Sequence, residues 1–309
     1  MPSRTAAQCC SELIFVRPRF DAYREASQQI RAIFKSYTEL MEPVSLDEAY
    51  LDVTENKHDI PSTTAIAQKI KQAIHKETQL TASAGVSINK FLAKMASDLD
   101  KPDGLSVILP EAAADFVQKL AIEKFHGIGK MTARKMHELG MHTGADPRLR
   151  SEAFLVEQFG KVGHHCFSIA RARDDRPIIA NRVRKSMGAE RSFAEDLTDQ
   201  KQMMEALNEI ARILHQRLEE SESKGHTLTL KVKFDDYQQS TRARTLEYCI
   251  DSYRLIKNMG HELLVSNIEE NQPVRLLGLT VSNLGGQESG PMQLSLDLRL
   301  PELSVQRRW

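Results

Sequence analysis

The chain changes its hydrophobic period several times, and each change marks an element. Between 20 and 40, Phe20, Tyr23, Ile30, Ile33, Phe34 and Tyr37 recur near helical spacing, which predicts an amphipathic helix. Residues 41–54, MEPVSLDEAYLDVT, are β-prone instead. A second helix is expected over 62–77, with Ser62 as its N-cap. TASAGVS at 81–87 reads as a short strand of small residues. Residues 88–99 read as a third helix with Phe91, Leu92, Met95, Ala96 and Leu99 on one face, stopped by the turn-forming Lys101-Pro102-Asp103-Gly104.

From 110 to 173 the pattern is helical, punctuated by Gly127, Gly129, Gly140, Pro147, Gly160 and Gly163, as in a small helical domain with short connections. Residues 171–185, RARDDRPIIANRVRK, read as a basic, exposed linker. Beyond it come a strand in SMGAERSF and a long helix over 201–220, with Met204, Leu207, Ile210, Ala211, Leu214 and Leu218 on one side. Thr227–Phe234 alternates: Leu228, Leu230, Val232 and Phe234 face one way, Thr227, Thr229, Lys231 and Lys233 the other. A helix at 247–264 and a strand at 273–284 follow, so the order β-α-β-α-β predicts a second α+β domain with a sheet open on one side. Residues 285–309 lack a core pattern and read as a tail.

A length of 309 residues suggests two or three domains. No apolar run approaches the roughly 20 residues of a membrane span, and the start lacks a signal-peptide pattern, so a cytoplasmic protein without membrane contact is expected. Cys9, Cys10, Cys166 and Cys249 form no C-x-x-C pair, which argues against a zinc site or a disulfide framework. With 42 basic and 42 acidic residues, net charge is silent about nucleic acid. A nucleic-acid binder of this composition must segregate its charges.

The candidate chemistry centres on Asp47 and Glu48. On a straight strand adjacent side chains point to opposite faces, but a turn lets both carboxylates aim at one point. Converging carboxylates need a compensating cation, and hard divalent ions prefer such oxygens. A dipeptide of this kind also serves as an exposed acidic turn. His126-Gly127-Ile128-Gly129 lies between two helices, where glycines let a phosphate approach exposed helix-start amides, or simply form a tight loop. Gly160 and Gly163 in FGKVG form a second such pair. Lys90 and Lys94, at i and i+4, face either DNA or solvent.

The flanking strings carry a resemblance. Ser45-Leu46-Asp47-Glu48-Ala49-Tyr50-Leu51-Asp52 resembles the palm signature of Y-family DNA polymerases. Ala82-Ser83-Ala84-Gly85-Val86, then Asn89-Lys90-Phe91-Leu92-Ala93-Lys94-Met95-Ala96-Ser97-Asp98 and Lys101-Pro102-Asp103-Gly104, is similar to the next block of that family, closest to its bacterial DNA polymerase IV branch. The resemblance implies an α+β, multidomain right-hand architecture: a remnant of the fingers at 1–18, an incomplete palm at 19–109, a helical thumb with a helix-hairpin-helix at 110–173, a basic linker at 174–184, a little finger at 185–286 and a tail at 287–309. It implies template-directed, error-prone translesion synthesis on primer-template DNA with deoxynucleoside triphosphates, by a monomer using two Mg²⁺ ions.

By position, the resemblance makes Asp47 a metal ligand and Glu48 its neighbour in the catalytic metal site, and brings Lys101 to the nucleotide triphosphate. It makes Asp52 structural. Gly127, Gly129 and Lys130 would hold DNA through the thumb, and Lys231, Lys233, Arg242 and Arg244 through the little finger. Gln293-Leu294-Ser295-Leu296-Asp297-Leu298 looks like a sliding-clamp-binding peptide, with Gln293 making polar contacts and Leu294, Leu296 and Leu298 supplying the apolar ones. The family's N-terminal strand, with a further catalytic Asp and a steric gate, has no match here. The expected alternative is therefore a catalytically impaired DNA- and clamp-binding piece of such a polymerase.

Overall fold

The computed structural model describes residues 3–268 and 272–285, and the chain divides into two compact units, Met1–Arg182 and Val183–Trp309. Among the described residues, no helix is long and apolar enough to cross a membrane.

The first unit opens with a short helix α1 (Ser3–Cys9) and the amphipathic α2 (Phe20–Tyr37). Two short antiparallel strands follow, β1 (Met41–Pro43) and β2 (Ala49–Leu51), with Met41 opposite Leu51 and Pro43 opposite Ala49. Helix α3 (Thr63–Thr78) starts where expected, because the Ser62 side chain accepts the Ala65 N–H. Ile66, Ile70 and Ile74 of α3 are buried against Ile33 of α2, the i, i+4 stripe that both sequences specify.

Strands β3 (Ala84–Val86) and β4 (Leu105–Val107) pair in parallel on either side of α4 (Lys90–Ser97). Phe91, Leu92, Met95 and Ala96 are buried as expected, whereas Leu99 lies beyond the helix and is exposed.

The helical region comprises α5 (Pro110–Lys119), a 3₁₀ turn (Ile122–Lys124), α6 (Lys130–Glu138), α7 (Ala145–Arg148), α8 (Glu152–Phe159) and α9 (Lys161–Ile169). Its core is not separate from α4. Phe91, Leu92, Met95 and Ala96 share one cluster with Val117, Ile122, Phe125, Met136, Leu155 and Ile169. The Phe91 and Phe125 rings lie 5.4 Å apart. The composition change near 109 is thus not a break in packing, and α4 belongs to the helical core as much as to its own strands. Cys166 sits inside this core, where burial pushes its thiol up to about 11 and leaves it inert at neutral pH.

The second unit is a four-stranded antiparallel sheet of order β5-β8-β6-β7, with β5 (Ser186–Leu197), β6 (Gly225–Phe234), β7 (Gln239–Ile250) and β8 (Val274–Ser282). Helices α10 (Gln200–Glu220) and α11 (Tyr253–Val265) pack on one face. The actual order is β-α-β-β-α-β. The expected helix from 247 begins only at Tyr253, and Gln239–Ile250 is a strand that the pattern did not reveal. Its run QSTRARTLEYCI is polar on both faces because β7 is an edge strand, largely exposed, so alternation gives no signal.

Candidate active site and nucleic-acid interface

Asp47 and Glu48 lie on the loop joining β1 to β2, not inside a strand. The loop closes on itself: the Val44 and Ser45 N–H groups both donate to the Glu48 carbonyl, at 2.9 and 3.3 Å. Arg31 of α2 braces it by donating to the Ser45 carbonyl at 3.1 Å. The Ser45 hydroxyl donates to Asp47 Oδ1 at 2.5 Å and accepts the Asp47 N–H. The turn that convergent carboxylates require is therefore present, set by two bends rather than by strand alternation.

Glu48 Oε1 accepts from Lys94 Nζ at 3.0 Å. The same ammonium lies 3.3 Å from Asp98, and Asp98 Oδ1 is 2.6 Å from Lys101 Nζ. Glu48, Lys94, Asp98 and Lys101 thus form a chain of alternating charge running from the loop to the turn after α4. Burial pulls the Lys94 ammonium down, but Glu48 and Asp98 outweigh it and hold its pKa above the ordinary lysine value. Burial works against the Asp98 carboxylate, and Lys101 and Lys94 overcome that to hold it below the usual range. Lys71 of α3 fixes the turn bearing Lys101, pairing with Asp103 at 3.1 Å and donating to the Gly104 carbonyl at 3.0 Å. The site residues expected from sequence, Asp47, Glu48 and Lys101, are therefore brought together. Lys94 and Asp98 are the members that sequence reasoning did not place. Their signal is the i, i+4 spacing that puts both on one face of α4.

The donor set fits a hard cation. Among the described residues, Asp47 Oδ2 and Glu48 Oε2 make no hydrogen bond, so each carboxylate keeps an oxygen in reserve. Mg²⁺ is commonly held by one or two carboxylates together with substrate phosphates and water. No group of three or more His, Cys, Asp or Glu converges among the described residues.

In the helical region, Gly127 has φ +91°, a conformation other residues enter only with strain, and Gly129 precedes α6 with no side chain capping the first turn. Gly129 and Lys130 are exposed, and α6 starts with its free N–H groups uncovered. The FGKVG pair is different. A Cβ at Gly163 would meet the Leu155 carbonyl at 2.2 Å, so this glycine serves the close crossing of α8 and α9 rather than an approaching phosphate.

Register divides the four expected cations of the second unit between two faces. Lys231 lies opposite Thr241 and Gly278, and Lys233 opposite Gln239 and Leu276, on the face away from the helices. Arg242 and Arg244 lie opposite Leu230 and Leu228, whose side chains face the helices, and Arg244 accordingly pairs with Glu262 of α11 at 2.5 Å. The expectation of one basic face is corrected: paired residues in an antiparallel sheet share a face. The open face carries Thr229, Thr280, Ala243 and Gly188 in one row and Glu190, Gly278, Lys231 and Thr241 in the next. It is flat, because most of these side chains are small. Lys231 pairs there with Glu190 at 2.9 Å, and Lys233 lies 4.8 Å from the Tyr237 ring. The segment 293–298 lies outside the described residues.

Residues 1–98 match the model of the impB/mucB/samB family, and residues 184–296 match the model of that family's C-terminal domain. DNA polymerase IV 2 of Agrobacterium fabrum is 47% identical over 302 residues, covering 97% of this chain and 85% of that protein. The chain belongs to the DNA polymerase IV branch of the Y-family DNA polymerases. DNA polymerase IV of Clostridioides difficile is also 47% identical, over 96% of this chain and 81% of that protein. Among solved structures, the Y-family DNA polymerase chimera Dbh-Dpo4(243-245)-Dbh superposes with a TM-score of 0.81 at 28% identity, covering 92% of this chain and 82% of that one. The insertion ternary complex of Dbh DNA polymerase superposes with a TM-score of 0.61 at 27% identity, over 92% and 82%. By family, the activity is that of a DNA-directed DNA polymerase acting in DNA damage and repair.

Proposed function

We propose that the chain carries the palm carboxylates and the DNA-gripping surfaces of an error-prone translesion polymerase, which joins a deoxynucleotide to a primer 3′ hydroxyl at a two-metal site. The observation that carries this reading is the chain of alternating charge from Glu48 through Lys94 and Asp98 to Lys101. It sets carboxylates for a cation and a lysine for a triphosphate at the two ends of one network. When bound, Mg²⁺ would lower the pKa of the primer hydroxyl and steady the departing pyrophosphate. Asp47 and Glu48 would hold it, while Lys101, 53% exposed, would meet the triphosphate as a mobile point charge.

The uncapped start of α6, with Gly127, Gly129 and Lys130, suits a backbone phosphate held without regard to sequence. The flat open face of the second unit, with Lys231 and Lys233, suits the sugar-phosphate backbone of the template. Arg242 and Arg244 would reach DNA only past the rim of β7. Residues 293–298 are proposed to seat Gln293, Leu294, Leu296 and Leu298 on a sliding clamp. The protein would work as a cytoplasmic monomer with DNA, nucleotides and the clamp as partners.

A second reading rests on the donor count. One carboxylate pair is fewer than two-metal centres normally use. A polypeptide of these 309 residues alone should bind primer-template DNA in a salt-sensitive way yet extend it feebly. An extension assay at several salt concentrations, run beside a DNA-binding titration, separates the readings. Robust Mg²⁺-dependent extension removes the second, and failure to bind DNA at low salt removes both.

A further inference from the structure

Residues 172–179, the first part of the stretch that reads as an exposed basic linker, are bound down within the first unit. The Ala172 carbonyl accepts from Asn89 Nδ2 at 2.9 Å. Asp174 Oδ2 accepts the Phe91 N–H at 3.0 Å, at the first turn of α4. Arg176 grips the same carboxylate twice, with Nε at 2.6 Å and Nη2 at 2.7 Å. The Ile179 N–H donates to Glu42 Oε2 at 2.7 Å. The Asp174 side chain is only 2% exposed. A buried carboxylate is costly unless fully partnered, and a passive linker has no need of one. Burial opposes its ionisation, but Arg176 and the Phe91 N–H prevail and keep it ionised below the usual aspartate range.

Glu42 is the hinge of the arrangement. It belongs to β1 and also pairs with Lys90, which is 7% exposed and lies 5.5 Å from the ring of Tyr50 on β2. The strap and α4 therefore meet on the two strands whose connecting loop bears Asp47 and Glu48. One turn further along α4, Lys94 reaches Glu48. Moving the strap moves the start of α4 and the β1 edge together.

We infer that Asp174, Arg176, Glu42 and Lys90 form a clasp that positions the Asp47–Glu48 loop. The segment leading into the second unit is then part of the active-site scaffold rather than a free tether. The four residues are positioning residues: none of them touches a reacting atom in this assignment. Their bearing on the metal site rests on the reading of Asp47 and Glu48 as metal ligands, but their bearing on the loop does not.

The test uses the 309-residue chain. Arg176→Ala should speed amide exchange in residues 41–51 by about tenfold, corresponding to ~1.4 kcal/mol of lost local protection. Exchange in α3 and in the second unit should stay unchanged. Arg176→Lys, which keeps the charge but not the fork, should fall between. Glu42→Gln keeps an acceptor for Ile179 but loses Lys90, and should speed the same segment without unfolding. Mn²⁺ affinity, read by the electron paramagnetic resonance of the free ion, should weaken severalfold in step with exchange. The inference is overturned if exchange quickens only in residues 172–179, or if unmutated chain binds Mn²⁺ through Asp47 and Arg176→Ala leaves that affinity intact. If Mn²⁺ binding is absent, or indifferent to Asp47→Asn, the metal-ligand reading falls instead. In that case faster exchange over 41–51 still upholds the clasp.

Discussion

Lys94 Nζ stands 3.0 Å from Glu48 Oε1, on a helix that presents Asp98 to Lys101 one turn later. A carboxylate loop and a phosphate-seeking lysine are thereby tied into one electrostatic unit across α4. Lys101 spends its charge on Asp98 only while no stronger anion is present, since an exposed pair of this kind is worth about 0.2–1 kcal/mol. Lys101→Ala should therefore leave melting nearly unchanged but weaken deoxynucleoside triphosphate binding about tenfold or more, the worth of a charge-assisted hydrogen bond. Fluorescent nucleotide titration of the chain on primer-template DNA measures it. Equal affinity for both proteins would remove Lys101 from the site.

The split of basic residues between sheet faces gives a discriminating comparison. Lys231→Ala with Lys233→Ala should lower DNA affinity and flatten the dependence of log K on log salt by about two, close to one unit per phosphate released. Arg244→Ala, which removes a residue already engaged by Glu262, should change the salt slope little. Anisotropy titrations from low to moderate salt provide both slopes. The reverse ranking would place DNA on the helix-bearing side.

Asp174 supplies a pH signature. Its pKa in the fold lies below the ordinary value, so the unfolded chain binds the proton more readily. Its contribution is fully present above the ordinary carboxylate pKa and is lost as pH falls through the lower folded value. Asp174→Asn should cost about 2 kcal/mol or more at neutral pH, because it leaves Arg176 unpaired beside a buried site. The deficit should shrink below the aspartate range, as the parent also loses the charge. Denaturant melts at neutral and strongly acidic pH test this, and a deficit of equal size at both would contradict it.

Much of this was legible along the chain. The stripes Ile66, Ile70, Ile74 and Leu207, Ile210, Leu214 gave α3 and α10 directly, since both helices bury one face. The block around Asp47 and Glu48 and the lysine of KPDG were found from their strings. What escaped was whatever depends on pairing at a distance. Edge strand β7 has no apolar alternation because neither of its faces is well buried. The placement of Arg242 and Arg244 follows from register with β6, which composition does not encode. Asp174 looked like one more charge in a basic stretch, and only its burial against the Phe91 amide, 83 residues away in sequence, identifies it.

The tail offers a separable function. Deleting 293–298 should abolish binding to a bacterial sliding clamp while DNA affinity stays intact, because the peptide supplies the apolar anchors Leu294, Leu296 and Leu298. Surface plasmon resonance on immobilised clamp, beside a DNA titration, reads both. Loss of both together would show that the segment supports the fold.

The central claim is that Asp47 and Glu48 form the cation-binding side of a nucleotide site. Its most direct measurement is the Mg²⁺ dependence of deoxynucleoside triphosphate binding to the chain on primer-template DNA, compared with Asp47→Asn. Divalent cation should tighten nucleotide binding about tenfold or more in the parent, and that gain should vanish in the variant while DNA affinity is kept. Nucleotide binding equally strong with and without Mg²⁺, or a gain that survives Asp47→Asn, would contradict the account.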